Sequence, residues 1–183
     1  MLEVRIHGLG GQGVVQTAHL VGNAGVRCGR WALSFPFFST AIRGGLVTAF
    51  VRIDDSPVDN RSYIYEPLFL AVFDASLLQL EEVVRGLQPE ARLVVSCTGG
   101  LPQLPGGFRG QVYTLNGNGI AQATLGRPIL STVMAGAIAK VSGQVSLEHL
   151  QGAIEGSFAA RLVPANLQAA EAGYSHVKLF EGS

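Results

Sequence analysis

Charge is what this chain has least of. Of its 183 residues only 14% are Asp, Glu, Lys or Arg, against roughly a quarter in ordinary soluble domains. Thirteen basic residues balance thirteen acidic ones, and the arginines are scattered without a basic run. The chain therefore sets up no field that would gather nucleic acid or an anionic membrane surface. No stretch reaches the roughly 18 consecutive apolar residues that span a bilayer. The opening Met1-Leu2-Glu3-Val4-Arg5-Ile6 reads as a strand, without the basic region and apolar core of a signal peptide. The expectation is a cytoplasmic protein with neither a nucleic-acid nor a membrane partner.

Cysteine is scarce as well. Cys28 and Cys97 stand far apart, and no Cys-x-x-Cys occurs. A structural zinc site takes four ligands and an iron–sulfur cluster usually four thiolates, so this chain alone supplies neither. Both cysteines read as small buried hydrophobes in a reducing compartment. The four histidines, His7, His19, His149 and His176, show no metal-ligand spacing. Neither a Gly-x-Ser-x-Gly elbow nor a Gly-Lys-Ser/Thr phosphate loop is present.

What is abundant is apolar: hydrophobic residues make up 48%. With so little charge, either a partner covers part of the surface or the core is rich, and composition leaves both open. The length suits a single domain, 1–183. Strand patterns fall at 2–7, 31–35, 46–53, 67–73, 92–97 and 111–115, and helical spacing at 14–26, 76–87, 129–141 and 147–158. Phe35 to Thr40, with Pro36 inside, reads as loop. Ser146 is a good N-cap for 147–158. Pro164 opens a short last helix, 165–172, with Gly173 as its stop. Alternating strands and helices predict a three-layer, doubly wound, mostly parallel α/β sheet with a helical C-terminal third. The strand at 46–53 follows its predecessor without a helix, so it is expected to be antiparallel.

The candidate site is the glycine cluster Gly8-Leu9-Gly10-Gly11-Gln12-Gly13. It matches G-x-G-x-x-G through Gly8, Gly10 and Gly13, after a strand and before a helix. There, backbone N–H groups can face an anion. A nicotinamide site also needs an acid about 20 residues further on; no Asp or Glu lies between Glu3 and Asp54, so NAD is disfavoured. A ligand-free tight turn, with glycines for close helix–sheet packing, stays open as the simpler reading. Gln12 can donate and accept at once, towards a partner loop or a substrate group. Arg43-Gly44-Gly45 puts a guanidinium beside approachable backbone, suited to phosphate or carboxylate, or to an ordinary ion pair. His7 precedes the loop and reads as a satisfied strand-end histidine. Asp74 reads as the N-cap of the following helix.

Taken together, Gly8-Leu9-Gly10-Gly11-Gln12-Gly13-Val14-Val15, Arg43-Gly44-Gly45, Val51-Arg52-Ile53 with Pro57, and Phe158, Asn166 and Ala172-Gly173-Tyr174 resemble the gamma-type domain of 2-oxoacid:ferredoxin oxidoreductases, the pyruvate synthase family. The resemblance spans most of the chain. It departs at Phe38 to Ile42, where the family often carries an acidic Tyr-Gly-Pro-Glu-like stretch. It implies a non-catalytic gamma subunit in an enzyme that decarboxylates a 2-oxoacid oxidatively to its acyl-CoA. Thiamine diphosphate, magnesium and iron–sulfur clusters would then sit in alpha, beta and iron–sulfur partner subunits, with ferredoxin as acceptor and coenzyme A as co-substrate. Gly8, Gly10, Gly11, Gln12, Gly13, Arg43, Gly44 and Gly45 would lie at the coenzyme A region or active-site mouth. An isolated chain could pair with itself as a homodimer. The other reading is a free-standing, Rossmann-like nucleotide-binding protein.

Overall fold

The first strand, β1 (Leu2–Leu9), alternates its faces: Val4 and Ile6 turn one way, Arg5 and His7 the other, and all four are buried. A half-polar strand buried on both sides must have cover on both sides, and this sets the architecture. The structure, a computed structural model, describes residues 1–38 and 44–181. Among these, seven strands form one mixed sheet: β1, β2 (Trp31–Phe38), β3 (Leu46–Asp54), β4 (Phe69–Val72), β5 (Arg92–Ser96), β6 (Gln111–Leu115) and β7 (Lys178–Leu179). Their order is β2-β3-β1-β4-β5-β6-β7. The pairs β1–β4, β4–β5 and β5–β6 are parallel; β3 is antiparallel to β1 and β2, and β7 to β6. The expected antiparallel strand at 46–53 is therefore present, and β7 adds a second.

One face carries the helices α1 (Val14–Arg27), α3 (Gly117–Leu125), α4 (Ser131–Ser142), α5 (Leu147–Ser157) and α6 (Val163–His176). Val4, Ile6, Ala49, Val51 and Ile53 of the sheet pack against Leu20, Val21, Met134 and Ile138 in the larger core. The other face is thinner. A 3₁₀ turn (Ala75–Gln79) and the one-turn helix α2 (Glu81–Val84) bury Leu77, Leu78 and Val83 on Leu70, Val72, Leu93 and Val95. Over the β1–β3–β2 part of this face the cover is a loop, which two buried arginines hold down. Arg52 pairs with Glu3 at 2.7 Å and donates to the carbonyls of Asn60 (3.0 Å) and Ser62 (2.6 Å).

Several sequence expectations are corrected. The strand read as ending at residue 35 runs on through Pro36 to Phe38, because β2 is an edge strand, where a missing N–H costs no ladder bond. The helix expected over 76–87 is broken at Leu80, whose backbone is extended (φ −85°, ψ 123°). Asp74 does cap the 3₁₀ turn, accepting from the Ser76 N–H at 2.9 Å. Gly173 does not stop the last helix, which continues to His176. A side chain at Gly173 would collide with the Val133 carbonyl, and one at Gly136 with the Ala170 carbonyl, so these glycines set how closely α4 and α6 approach. Ser146 caps α5 as expected, accepting from the His149 N–H at 3.2 Å.

Candidate functional site

The chain leaves β1 for α1 on one sheet face, and leaves β4 for the 3₁₀ turn and α2 on the other. The C-terminal edge of the neighbouring parallel strands β1 and β4 is thus a topological switch point, where open α/β sheets form a ligand crevice. The glycine cluster stands there. Its glycines fall into two groups. Any side chain at Gly8 would strike Val14 Cγ2 at 2.6 Å, and one at Gly13 would strike Ser131 Cβ at 2.7 Å. Gly8 and Gly13 therefore serve packing. Gly11, with φ +95°, has open space where a side chain would go and faces outward.

The loop is braced from within. Gln12 Oε1 accepts from the Leu9 N–H at 2.7 Å, and the Gln12 N–H returns to the Leu9 carbonyl at 3.1 Å. The Gln12 carbonyl accepts from the Leu130 N–H at 3.0 Å, tying the loop to the start of α4. Thr17, buried, donates its hydroxyl to the Ser131 carbonyl at 2.9 Å. The Gly10 N–H donates to the Gly45 carbonyl at 3.0 Å, and Gly44 takes φ +94° beside it. So the structure brings Gly8, Gly10, Gly11, Gln12, Gly13, Gly44 and Gly45 together, although 30 residues lie between the two glycine segments. Arg43 lies outside the described residues. The N–H groups of Val14, Val15 and Gln16 open α1 and have no intrahelical acceptor, and no acid stands in that first turn. The first turn of α1 therefore offers positive backbone dipole and no acid of its own, while Asp74, just past β4, has its Oδ1 taken by the Ser76 N–H and hydroxyl.

A second feature was not singled out from sequence. Beneath the 63–66 loop, on the face opposite α1, lies a cavity of about 480 Å³ reached by Arg5, His7, Thr48, Phe37, Phe50 and Tyr63. Arg5 donates to four carbonyls, those of Ile64 and Tyr65 (both 3.2 Å), Val83 (2.9 Å) and Arg85 (2.8 Å), so it knots the loop to α2. Burial lowers its pKa to about 10, which leaves it charged at neutral pH. His7 is 3% exposed. Burial, and next the charge of Arg5, push its pKa down to about 3, so the ring is neutral. The Thr48 hydroxyl lies 3.0 Å from Nδ1. His7 is not the satisfied strand-end histidine expected: Nε2 is buried without a partner among the described residues. The alternation of polar Arg5 and His7 with apolar Val4 and Ile6 was the available signal.

Among the described residues no group of three or more His, Cys, Asp and Glu is placed to hold a metal ion, and no helix is long and apolar enough to cross a membrane. The profile of the pyruvate ferredoxin/flavodoxin oxidoreductase family matches residues 3–176. The chain belongs to that family. It is similar along its whole length to gamma subunits. It is 39% identical to pyruvate synthase subunit PorC of Methanothermobacter thermautotrophicus, over 97% of each chain. It is 37% identical to the common gamma subunit of the pyruvate/ketoisovalerate oxidoreductases of Thermococcus kodakarensis, over 99% of this chain and all of that one. The crystal structure of the pyruvate oxidoreductase subunit PORC of Thermotoga maritima superposes with a TM-score of 0.84 at 29% identity, covering 98% of both. This family member is accordingly a gamma-type subunit of a multi-subunit oxidoreductase, and the glycine cluster and the cavity belong to such a subunit.

Proposed function

We propose that the chain is the non-catalytic gamma subunit of a cytoplasmic 2-oxoacid:ferredoxin oxidoreductase, and that its glycine edge shapes the coenzyme A region. The overall reaction converts a 2-oxoacid and coenzyme A to acyl-CoA and carbon dioxide, with two electrons leaving to ferredoxin. Thiamine diphosphate with magnesium supplies the decarboxylation chemistry, and iron–sulfur clusters the electron path, from alpha, beta and iron–sulfur subunits beside this one.

The residues of this chain bind and orient. Coenzyme A carries phosphates, and the open Gly11 at the start of α1 lets such a group approach N–H donors on the positive end of a helix dipole. That is the observation on which the proposal chiefly rests. Arg43, next to Gly44 and Gly45, would add charge to the same edge. The 2-oxoacid is selected by the other subunits, in keeping with a Thermococcus gamma subunit named as common to pyruvate and ketoisovalerate enzymes. No observation beyond the glycine motif favours a free-standing nucleotide binder.

The test uses the assembled complex with 2-oxoacid and an artificial electron acceptor. Gly11→Asp fills the open position with a carboxylate that repels phosphate, whereas Gly11→Asn fills it without charge; both residues tolerate positive φ better than most. Gly11→Asp should raise the KM for coenzyme A at least about tenfold over Gly11→Asn, a difference of about 1.4 kcal/mol, with the KM for the 2-oxoacid unchanged. Arg43→Ala should raise the same KM. Unchanged values for both Gly11→Asp and Arg43→Ala would remove this edge from coenzyme A binding.

A further inference from the structure

The sheet ends in two unlike edges. At one, β7 is two residues long, and a strand that short gives another chain little to pair with. At the other, β2 runs eight residues without a charged side chain. Which of its backbone groups face outward follows from its neighbours. The Gly10 N–H donates to the Gly45 carbonyl, so the odd-numbered residues of β3 bond to β1 and the even-numbered ones to β2. Through the β2–β3 register, the backbone groups of Trp31, Leu33, Phe35 and Phe37 then turn to β3, and those of Ala32, Ser34 and Pro36 turn outward. Pro36 thus lacks an N–H only where no ladder needs one. The backbone groups of Ala32 and Ser34 meet no partner among the described residues.

This edge is complementary to itself. Laid antiparallel on a second copy about a two-fold axis at Ser34, it lets each Ser34 exchange both backbone bonds with its counterpart. Each Ala32 N–H then meets the Pro36 carbonyl of the other copy. Leu33 comes to lie opposite Phe35, and Trp31 opposite Phe37. In the single chain Trp31 is 55% and Phe37 38% exposed, and Phe37 already meets Tyr63 edge-on at 5.1 Å. Each Trp31 would extend the aromatic cluster of the other copy. On the opposite sheet face α1 lies over β2 and β3 alike. Pairing would set the two α1 helices two strand spacings apart, about 10 Å, which is the distance of packed helices. The exposed α1 stripe of His19, Asn23 and Val26 contains no acid.

We propose that two copies of this chain pair through β2, antiparallel and centred on Ser34, into one continuous sheet. An enzyme built on that pair carries two gamma chains side by side. The pairing does not depend on the coenzyme A role proposed for the glycine edge.

Trp31 is the single tryptophan of the chain, so intrinsic fluorescence reports on the pairing directly. Sedimentation equilibrium of the purified chain should give a dimer. Dilution to monomer should shift the Trp31 emission to the red and open it to iodide quenching. Ser34→Pro removes the central outward N–H and spares the β2–β3 ladder; it should weaken the dimer at least about tenfold. Ser34→Ala, which keeps that N–H, should not. Trp31→Lys, at an exposed position where folding is least at risk, should weaken the dimer as much as Ser34→Pro. In the double variant Trp31→Cys/Phe37→Cys the facing Cα atoms of the two copies would lie about 4.5 Å apart. Mild oxidation should link the copies there, in the free chain and in the assembled complex, with the wild type and its Cys28 and Cys97 as the blank. The proposal is overturned by a monomeric chain, or by a dimer that Ser34→Pro or Trp31→Lys leaves as tight as the wild type. It is overturned equally if the double variant does not link the copies, or if in the complex it links to a different subunit. The KM for coenzyme A, measured separately, decides the glycine edge without reference to any of these outcomes.

Discussion

Lowering the pH should destabilise this protein through one residue, His7, and the size of the effect can be worked out. In an unfolded chain a histidine titrates at about 6.5. In the folded chain burial and the neighbouring Arg5 hold His7 down at about 3. Between those values the unfolded state takes up a proton that the native state refuses. The stabilisation is therefore fully present above the unfolded pKa and is lost as pH falls towards the folded one. At pH 5 the ring is still neutral in the native state, so the loss by then is set by the distance from 6.5. That distance is about 1.5 pH units, or about 2 kcal/mol at about 1.36 kcal/mol per unit. Urea unfolding at pH 8 and pH 5 would measure it, for the wild type and for His7→Phe, with His7→Gln as a second variant should the first fold poorly. The wild type should lose about 2 kcal/mol more than either variant across that interval. The other histidines cancel in the comparison. Identical pH dependence in wild type and variants would show that His7 titrates as an ordinary exposed histidine, and would refute the account of its environment.

Two further outcomes concern packing and capping. Gly173→Ala should cost more than about 3 kcal/mol, or prevent folding, because its methyl group would enter the Val133 carbonyl across the α4–α6 contact; a thermal melt within a few degrees of wild type would contradict that contact. Ser146→Ala should remove the cap of α5 and cost about 1 kcal/mol, read in the same urea titration; no change in midpoint would mean that the cap contributes nothing.

Much of the site could be read from the order of residues alone. The strand–glycine–helix passage at 2–26 is punctuated locally: an apolar β-rich run, glycines where the backbone must turn, then helical spacing. Gly44 and Gly45 could be named beforehand, but not their hydrogen bond to Gly10, which needs β3 laid antiparallel along β1. Gln12 could be marked as two-sided in hydrogen bonding; that its oxygen turns inward to Leu9 is a matter of geometry. The helix α3 leaves a weak pattern in the sequence because Gly117 and Gly119 lower its propensity. Its real signal was Asn116, which caps it by accepting from the Gly119 N–H at 2.8 Å. The break at Leu80 had a signal too, in Glu81 and Glu82, acids that favour the first turn of a new helix.

The sequence by itself determined what is local or compositional: where strands and helices begin, the scarcity of thiol ligands, and the motifs that mark the family. Tertiary structure alone decided which residues meet. Pro36 could stay in a strand because β2 became an edge, and Gly173 could stay in a helix because α4 came to lie against it. The cavity joins Arg5 and His7 to Tyr63, more than 50 residues away. Such contacts arise from the pairing of distant segments, and periodicity, which reports only on near neighbours in the chain, carries no record of them.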